Sequence, residues 1–271
     1  MTETDDIDLT LLLEAIYLRY HHDFRGYARA SMRRRMSAAI AALRCENLSA
    51  LQGKILSDPR AFSELLRFLT VQVSDMVRDP LFFRVLREEI VPVLHTYPRP
   101  RLWIAGCSTG EEVYSIAILL QECGLLDRAT IYATAINAEA LEKAEAGIYP
   151  LERIPVFTEN HRLSGGTLSL SHYYTARYGA AVFDRALRKN VVFSDHSLAT
   201  DSVFAEVQVV TCRNVLIYFD RALQARAVAL MRDALSPRGF LGLGSKESLQ
   251  FSPHAASFRP INLEARWYQR T

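Results

Sequence analysis

Three short stretches of this chain hold side chains that could do chemistry together. The first is GCSTGEE, residues 106–112, where two glycines bracket Cys107, Ser108 and Thr109 and two carboxylates follow. The second is AIN, residues 135–137, and the third is RNVLIY, residues 213–218. Gly106 and Gly110 let the backbone approach a ligand closely, and a helix opening just after them turns N–H groups toward it. Glu111 and Glu112 sit where the helix dipole favours negative charge, which is the simpler reading of either acid alone. The functional reading gives one of them to ribose hydroxyls. Asn214 and Tyr218 lie one turn apart if their segment is helical, so that both face one cleft. A core tyrosine is the simpler reading of Tyr218, which sits between Ile217 and Phe219. Alone, such a turn is a weak sign of a nucleotide-type cofactor. HExxH and GxxxxGK[ST] are absent, which leaves zinc-hydrolase and phosphoryl-transfer chemistry without support.

The three stretches act together only if strands deliver them to one edge. LWIA, residues 102–105, is a run long enough only for a buried strand, and from Glu111 the apolar spacing becomes helical through Val113, Ile116, Ala117 and Leu120. TIYATAI, residues 130–136, and VQVVTC, residues 207–212, are further strands, as are residues 240–243. A short helix over 138–146 stops at Gly147, and a long one over 220–235 stops before Pro237. This alternation predicts an α/β fold with a doubly wound, mostly parallel sheet, whose ligands bind outside the carboxyl ends of the strands. Residues 149–189 interrupt it and are expected to form a small inserted antiparallel β-subdomain, with LSLSHYY strand-like. Residues 259–269 are expected to supply closing strands.

Upstream, residues 1–96 read as a helical N-terminal domain, followed by a proline-containing linker at 97–100 and the sheet domain at 101–271. Leu9, Leu12, Leu13 and Ile16 give a first helix its apolar face. Met32, Met36, Ile40 and Leu43 do the same for a second, whose Arg33, Arg34 and Arg35 fan around the axis while Arg29 and Arg33 share a face. A solvated basic helix is the simpler reading; a docking surface for an acidic partner is the functional one. Asp58 and Pro59 form a helix start, and Pro92 is expected to end or kink a helix opening near Leu81.

The whole 271-residue chain is 49% hydrophobic and 23% charged, an ordinary globular balance. Its formal charge of +2 argues against a dedicated nucleic-acid binder. Cys45, Cys107, Cys123 and Cys212 show no disulfide or zinc spacing, so free thiols and no metal site are expected. An acidic start and the lack of a membrane-length apolar run point to a cytoplasmic protein that does not insert into a membrane.

The segments WIAGCSTGEEVYSIA, ATAINAEALEKAEAGIYP, VTCRNVLIYF and GFLGLGSKESL, in this order, resemble the CheR-type chemoreceptor glutamate methyltransferases. LTVQVSDMVRDPLFFRVLREEIVP extends the resemblance to residues 24–268. The resemblance implies S-adenosylmethionine as methyl donor and receptor glutamates as acceptors, met on chemoreceptor cytoplasmic helices through Arg29, Arg33, Arg34 and Arg35. It implies cofactor contacts at Gln72, Ser74, Arg78, Gly106, Glu112, Ala135, Ser197, Leu198, Arg213 and Asn214, with Arg78 and Tyr218 at the transferred methyl. The family's second strand usually ends in an acidic residue that holds the ribose. Here Ala135 stands there, with Glu112, Asn137 or a water left to compensate. Gln72, Ser74 and Ser197 also replace the family's usual Asn, Thr and Asn. These departures raise an alternative: a family member weakened in catalysis that binds receptors or another partner.

Overall fold

The computed structural model describes residues 3–70 and 74–271, and Gln72 lies outside them. The N-terminal helices are α1 (Glu3–Tyr20), α2 (Arg29–Ala42), α3 (Leu48–Ser57) and α4 (Pro59–Leu69). Asp58 caps α4 by accepting the Arg60 N–H, with Pro59 at the first position, as its sequence implies. Helix α3 has a quieter signature, the Asn47 side chain accepting from Ala50. The expected apolar faces of α1 and α2 meet: Leu9, Leu12, Leu13 and Ile16 pack with Met32, Met36 and Leu43 in a core shared with α3 and α4.

Next come α5 (Pro80–Val85), a wide π turn (Leu86–Ile90) and α6 (Val91–Leu94). Pro92 therefore does not end the helix. It lacks an N–H and crowds the preceding turn, and the widened turn upstream absorbs that mismatch. Residues from Met76 to Leu94 bury their apolar side chains against the sheet described below.

The sheet region opens with β1 (Arg101–Ala105), α7 (Glu111–Glu122), β2 (Thr130–Ala135) and α8 (Ala138–Ala146). Asn137 caps α8, and Gly147 ends it at φ 65°. The insertion holds β3 (Ile148–Pro150), α9 (Ile154–Leu163), β4 (Tyr174–Arg177) and β5 (Ala180–Phe183), with antiparallel strand order β3-β5-β4. Within LSLSHYY only the last tyrosine is strand; Leu170–Tyr173 is a 3-10 turn, started where Ser169 Oγ accepts the Ser171 N–H. Helix α9 was not legible as one, although Pro155 at its start and buried Ile154, Phe157 and His161 at 3- and 4-residue spacing are its marks.

The chain then completes the main sheet through β6 (Val191–Asp195), β7 (Val207–Cys212), α10 (Arg221–Ala234), β8 (Leu235–Leu243), β9 (Phe258–Asn262) and β10 (Trp267–Arg270). Strand β8 begins earlier than its sequence suggests and carries Pro237 and Gly239 past a register shift against β7. The order is β6-β2-β1-β7-β8-β10-β9, parallel except where β10 pairs with β8 and β9. Chain order runs outward from β1 through β2 to β6 on one side and from β7 through β8 on the other. The switch point is therefore β1/β7, and the crevice at their carboxyl ends is where this class of sheet binds ligands. No helix among the described residues is long and apolar enough to cross a membrane.

Candidate cofactor and acceptor site

A cavity of about 290 Å³ opens at that switch point. It collects Gly106 and Glu112 after β1, Ala135 and Asn137 after β2, Ser197 and Leu198 after β6, and Arg213, Asn214 and Tyr218 after β7. Ser74 and Arg78 reach it from the segment before α5, and Tyr27 and Arg35 from the N-terminal helices. All the described site residues expected from the sequence thus line one cavity. Gly106 has φ 81°, and a Cβ there would stand 2.6 Å from Val215 Cγ2, so the turn needs glycine on both counts.

The two acids opening α7 part company. Glu111 is buried and takes the Arg153 guanidinium at 2.8 Å and the Thr109 hydroxyl at 2.7 Å. Arg153 also bonds Asp75 at 2.8 Å and the Ser74 carbonyl, so the insertion grips the segment that leads to Arg78. Glu112 faces the cavity instead. Its Oε1 accepts the Thr211 hydroxyl at 2.6 Å and its Oε2 the Arg213 guanidinium at 3.1 Å. Each oxygen keeps a further acceptor position for a hydroxyl.

Arg213 is more clasp than contact. Its side chain is 2% exposed, pairs with Asp79 at 2.9 Å as well as with Glu112, donates to the Arg78 carbonyl, and lies 4.1 Å over the Phe82 ring. Asp79 is consequently not the simple helix cap that Asp-Pro suggests: it is left-handed at φ 60° and makes no cap bond. Val77 is also left-handed, at φ 50°, its N–H held by Ser115 Oγ at 2.8 Å. A β-branched residue rarely adopts that conformation, so Arg78 sits between two strained residues held by Ser115 and Arg213. Among the described residues the Arg78 guanidinium has no hydrogen-bond or ion-pair partner.

The segment carrying Asn214 and Tyr218 is not one helical turn. Asn214 is left-handed at φ 61°, and only Leu216–Tyr218 coils, as a 3-10 turn. Both still line the cavity, so Tyr218 is not a core tyrosine. The Arg35 guanidinium lies 4.4 Å above its ring, and the Arg35 side chain donates to the Leu69 carbonyl. That corrects the expectation that Arg29, Arg33, Arg34 and Arg35 together present a docking surface. Arg35 is buried at the site because the fanning of the arginines turns it inward. Arg33 pairs with Asp6, and Arg29 donates to Thr10 at 3.1 Å, both on α1; Arg34 is exposed.

Ser197 spends its hydroxyl accepting the Ala199 N–H at 3.2 Å. Asn137 is equally committed, its Oδ1 capping α8 at 3.1 Å and its Nδ2 bonded to Thr70 at 2.9 Å. Burial pushes the Cys107 thiol up to about 12, Glu112 adding to the rise, which makes it an inert core thiol. All four cysteines are free, and no cluster of His, Cys, Asp and Glu among the described residues could hold a metal. The residues not expected from the sequence, Asp79, Arg153, Thr211 and Tyr27, all act through partners distant in the chain.

A seven-stranded sheet of this order, with its glycine turn at the switch point and an acid on the following helix, defines the class of S-adenosylmethionine-dependent methyltransferases. The chain belongs to the CheR methyltransferase family: residues 72–265 match the CheR methyltransferase SAM binding domain, and residues 7–70 match its all-alpha domain. It is 53% identical to a putative methyltransferase, Cher3, of Pseudomonas putida, over 98% of this chain and 97% of that one. A chemotaxis protein methyltransferase 2 of Pseudomonas aeruginosa is 30% identical over 81% of this chain and 79% of its own. A chemotaxis protein methyltransferase of Listeria innocua is 27% identical, covering 84% of each chain. The cofactor is S-adenosylmethionine, and the cavity fits it through the Gly106 cradle and the open acceptor positions of Glu112.

Proposed function

We propose that this chain esterifies glutamate side chains on the cytoplasmic helices of chemoreceptors. Family membership supports the reaction class, and the observation that carries the acceptor is the Arg78 guanidinium, without a partner among the described residues, sharing a cavity with Tyr218 and the Gly106 turn. When bound, the cofactor supplies an electrophilic methyl group on a sulfonium. The chain binds, aligns and excludes water. A glutamate is ionised at neutral pH, so no general base is required, and holding its oxygen in line supplies most of the advantage. Arg78 steers the carboxylate, and Tyr218 orients it beside the methyl. The test is transfer of a labelled methyl to receptor cytoplasmic fragments, as esters released by mild base. Label in any group other than a carboxylate would overturn the reading.

Exposed Arg34 marks where an acidic receptor helix approaches α2. Arg34→Glu should slow methylation severalfold with cofactor affinity unchanged, and an unchanged methylation rate would remove that docking assignment.

Ala135 favours a second reading, a receptor-binding protein with weakened cofactor affinity. A hydrogen bond to a charged group contributes about 1.5–3 kcal/mol, or one to two decades in affinity. Calorimetric titration with S-adenosylhomocysteine should therefore show Ala135→Asp binding about 10–100-fold more tightly than the parent. Saturable binding by the parent keeps the enzyme reading. Binding by the variant alone favours the second, and silence from both sinks the methyltransferase.

A further inference from the structure

Glu247 lies in the loop after β8, 4% exposed and outside the cavity lining. Its Oε2 accepts the N–H groups of Gly244 at 2.7 Å and Asn214 at 2.9 Å. Its Oε1 accepts those of Val215 at 2.8 Å and Ile217 at 3.3 Å. Three of the four donors thus belong to the loop that ends in Tyr218. A carboxylate offers about four in-plane acceptor sites on two oxygens, so this one is filled by a single loop and its neighbour. Gly244 makes room: a Cβ there would stand 2.7 Å from Glu247 Oε2 and 2.8 Å from the Asn214 nitrogen.

What this anchor holds is a strained start and a functional end. Asn214 sits at φ 61°, a conformation that persists only where its surroundings over-determine it. At the other end the Tyr218 carbonyl accepts the Ala28 N–H at 2.8 Å, so the tyrosine is fixed between Glu247 and the N-terminal domain. We infer that Glu247 is a positioning residue for methyl transfer, setting the place of Tyr218 through the loop backbone without touching cofactor or acceptor. The inference rests on the methyltransferase reading above.

Glu247→Gln keeps the shape but sets an amide nitrogen against two N–H donors. We expect kcat to fall about 30–100-fold, the scale of a misplacement near 1 Å. Affinity for S-adenosylhomocysteine should fall less, by under about 10-fold, because Asn214 is one contact and the glycine turn and Glu112 stay in place. Backbone amide exchange over residues 214–217 should speed up. A double-mutant cycle decides the route: if Glu247 acts through Tyr218, Glu247→Gln should cost little more once Tyr218→Ala is present. Additive losses, a loss of cofactor affinity as large as the loss in kcat, or unchanged amide exchange would overturn the inference. Gly244→Ala pushes on the same carboxylate from the far side and repeats the test should Glu247→Gln fold poorly. If the parent transfers no methyl group at all, the function reading falls, while amide exchange still decides whether Glu247 holds the loop.

Discussion

Glu122, at the end of α7, and Glu247, after β8, are both buried carboxylates that accept several hydrogen bonds. At Glu122 the donors are the Arg87 guanidinium, the N–H groups of Thr167 and Leu168 and the Tyr173 hydroxyl, with the His161 ring 3.2 Å away. Burial there would raise the carboxyl, but His161, the Leu168 N–H and Arg87 outweigh it and bring it down to about 2. At Glu247 burial again raises the carboxyl, and the neutral N–H groups of Gly244, Asn214, Ile217 and Val215 offset only part of that, so it stays above its ordinary value. The contrast separates two ways to hold a junction. The His161 ring, the Leu168 N–H and the Arg87 guanidinium together make the ionised form the stable one, and Thr167, Leu168, Tyr173 and His161 tie the insertion to α7. Backbone dipoles alone place a loop accurately but leave ionisation costly in the fold. A feature that costs stability yet fixes a loop beside a reaction site is what positioning asks for.

Removing the cation should have the largest effect on stability. Arg87→Ala removes the guanidinium and leaves Glu122 to Thr167, Leu168, Tyr173 and His161, and we expect about 1.5–3 kcal/mol to be lost in urea unfolding. A loss below about 1 kcal/mol would erase the contrast, because Glu122 would then be as independent of cations as Glu247. Next in size is the acid limb. The Glu122 carboxyl is lowered by folding, so its contribution is complete above its unfolded value near 4.5 and lost as pH falls toward about 2. Glu122→Gln should therefore flatten the stability profile across that window. Glu247 has the opposite sign: its raised carboxyl favours the fold when protonated, and that contribution is lost as pH rises through its folded value. Glu247→Gln at neutral pH relieves the ionisation cost while orphaning N–H donors, so we expect a net change in unfolding free energy of about 1 kcal/mol or less. Equal losses from Glu122→Gln and Glu247→Gln would show that the two sites work alike.

Much of the site is legible in the chain because its signals are local. The glycine turn, the helix from Glu111 and the strands at β1, β2 and β7 are each written within a few residues, and the switch point follows from their order. What stayed hidden depends on partners far away. Glu111 and Glu112 read alike until Arg153 and Arg213 choose between them. In MRRRM nothing marks Arg35 as the arginine that turns inward, because the Tyr218 ring it covers comes from the other end of the chain. Glu247 sits in GSKES with no periodicity or cap to flag it, and three of its four donors precede it by about 30 residues. Helix α9 was lost to the alternating look of the sequence that follows it.

Tyr27 and Phe219 form an antiparallel bridge, flanked by Ala28 N–H to the Tyr218 carbonyl and Asp220 N–H to the Gly26 carbonyl, each at 2.8 Å. On a ribosome adding roughly 5–20 residues per second, about 10–40 s separate the synthesis of the two halves of that bridge. Helices α1 to α4 have a core of their own and can pack during the interval, holding Arg35 ready before its tyrosine exists. The Tyr218 side of the cleft is thus completed late in translation, after most of the sheet has emerged. Until then a nascent chain cannot present Tyr218 to a substrate.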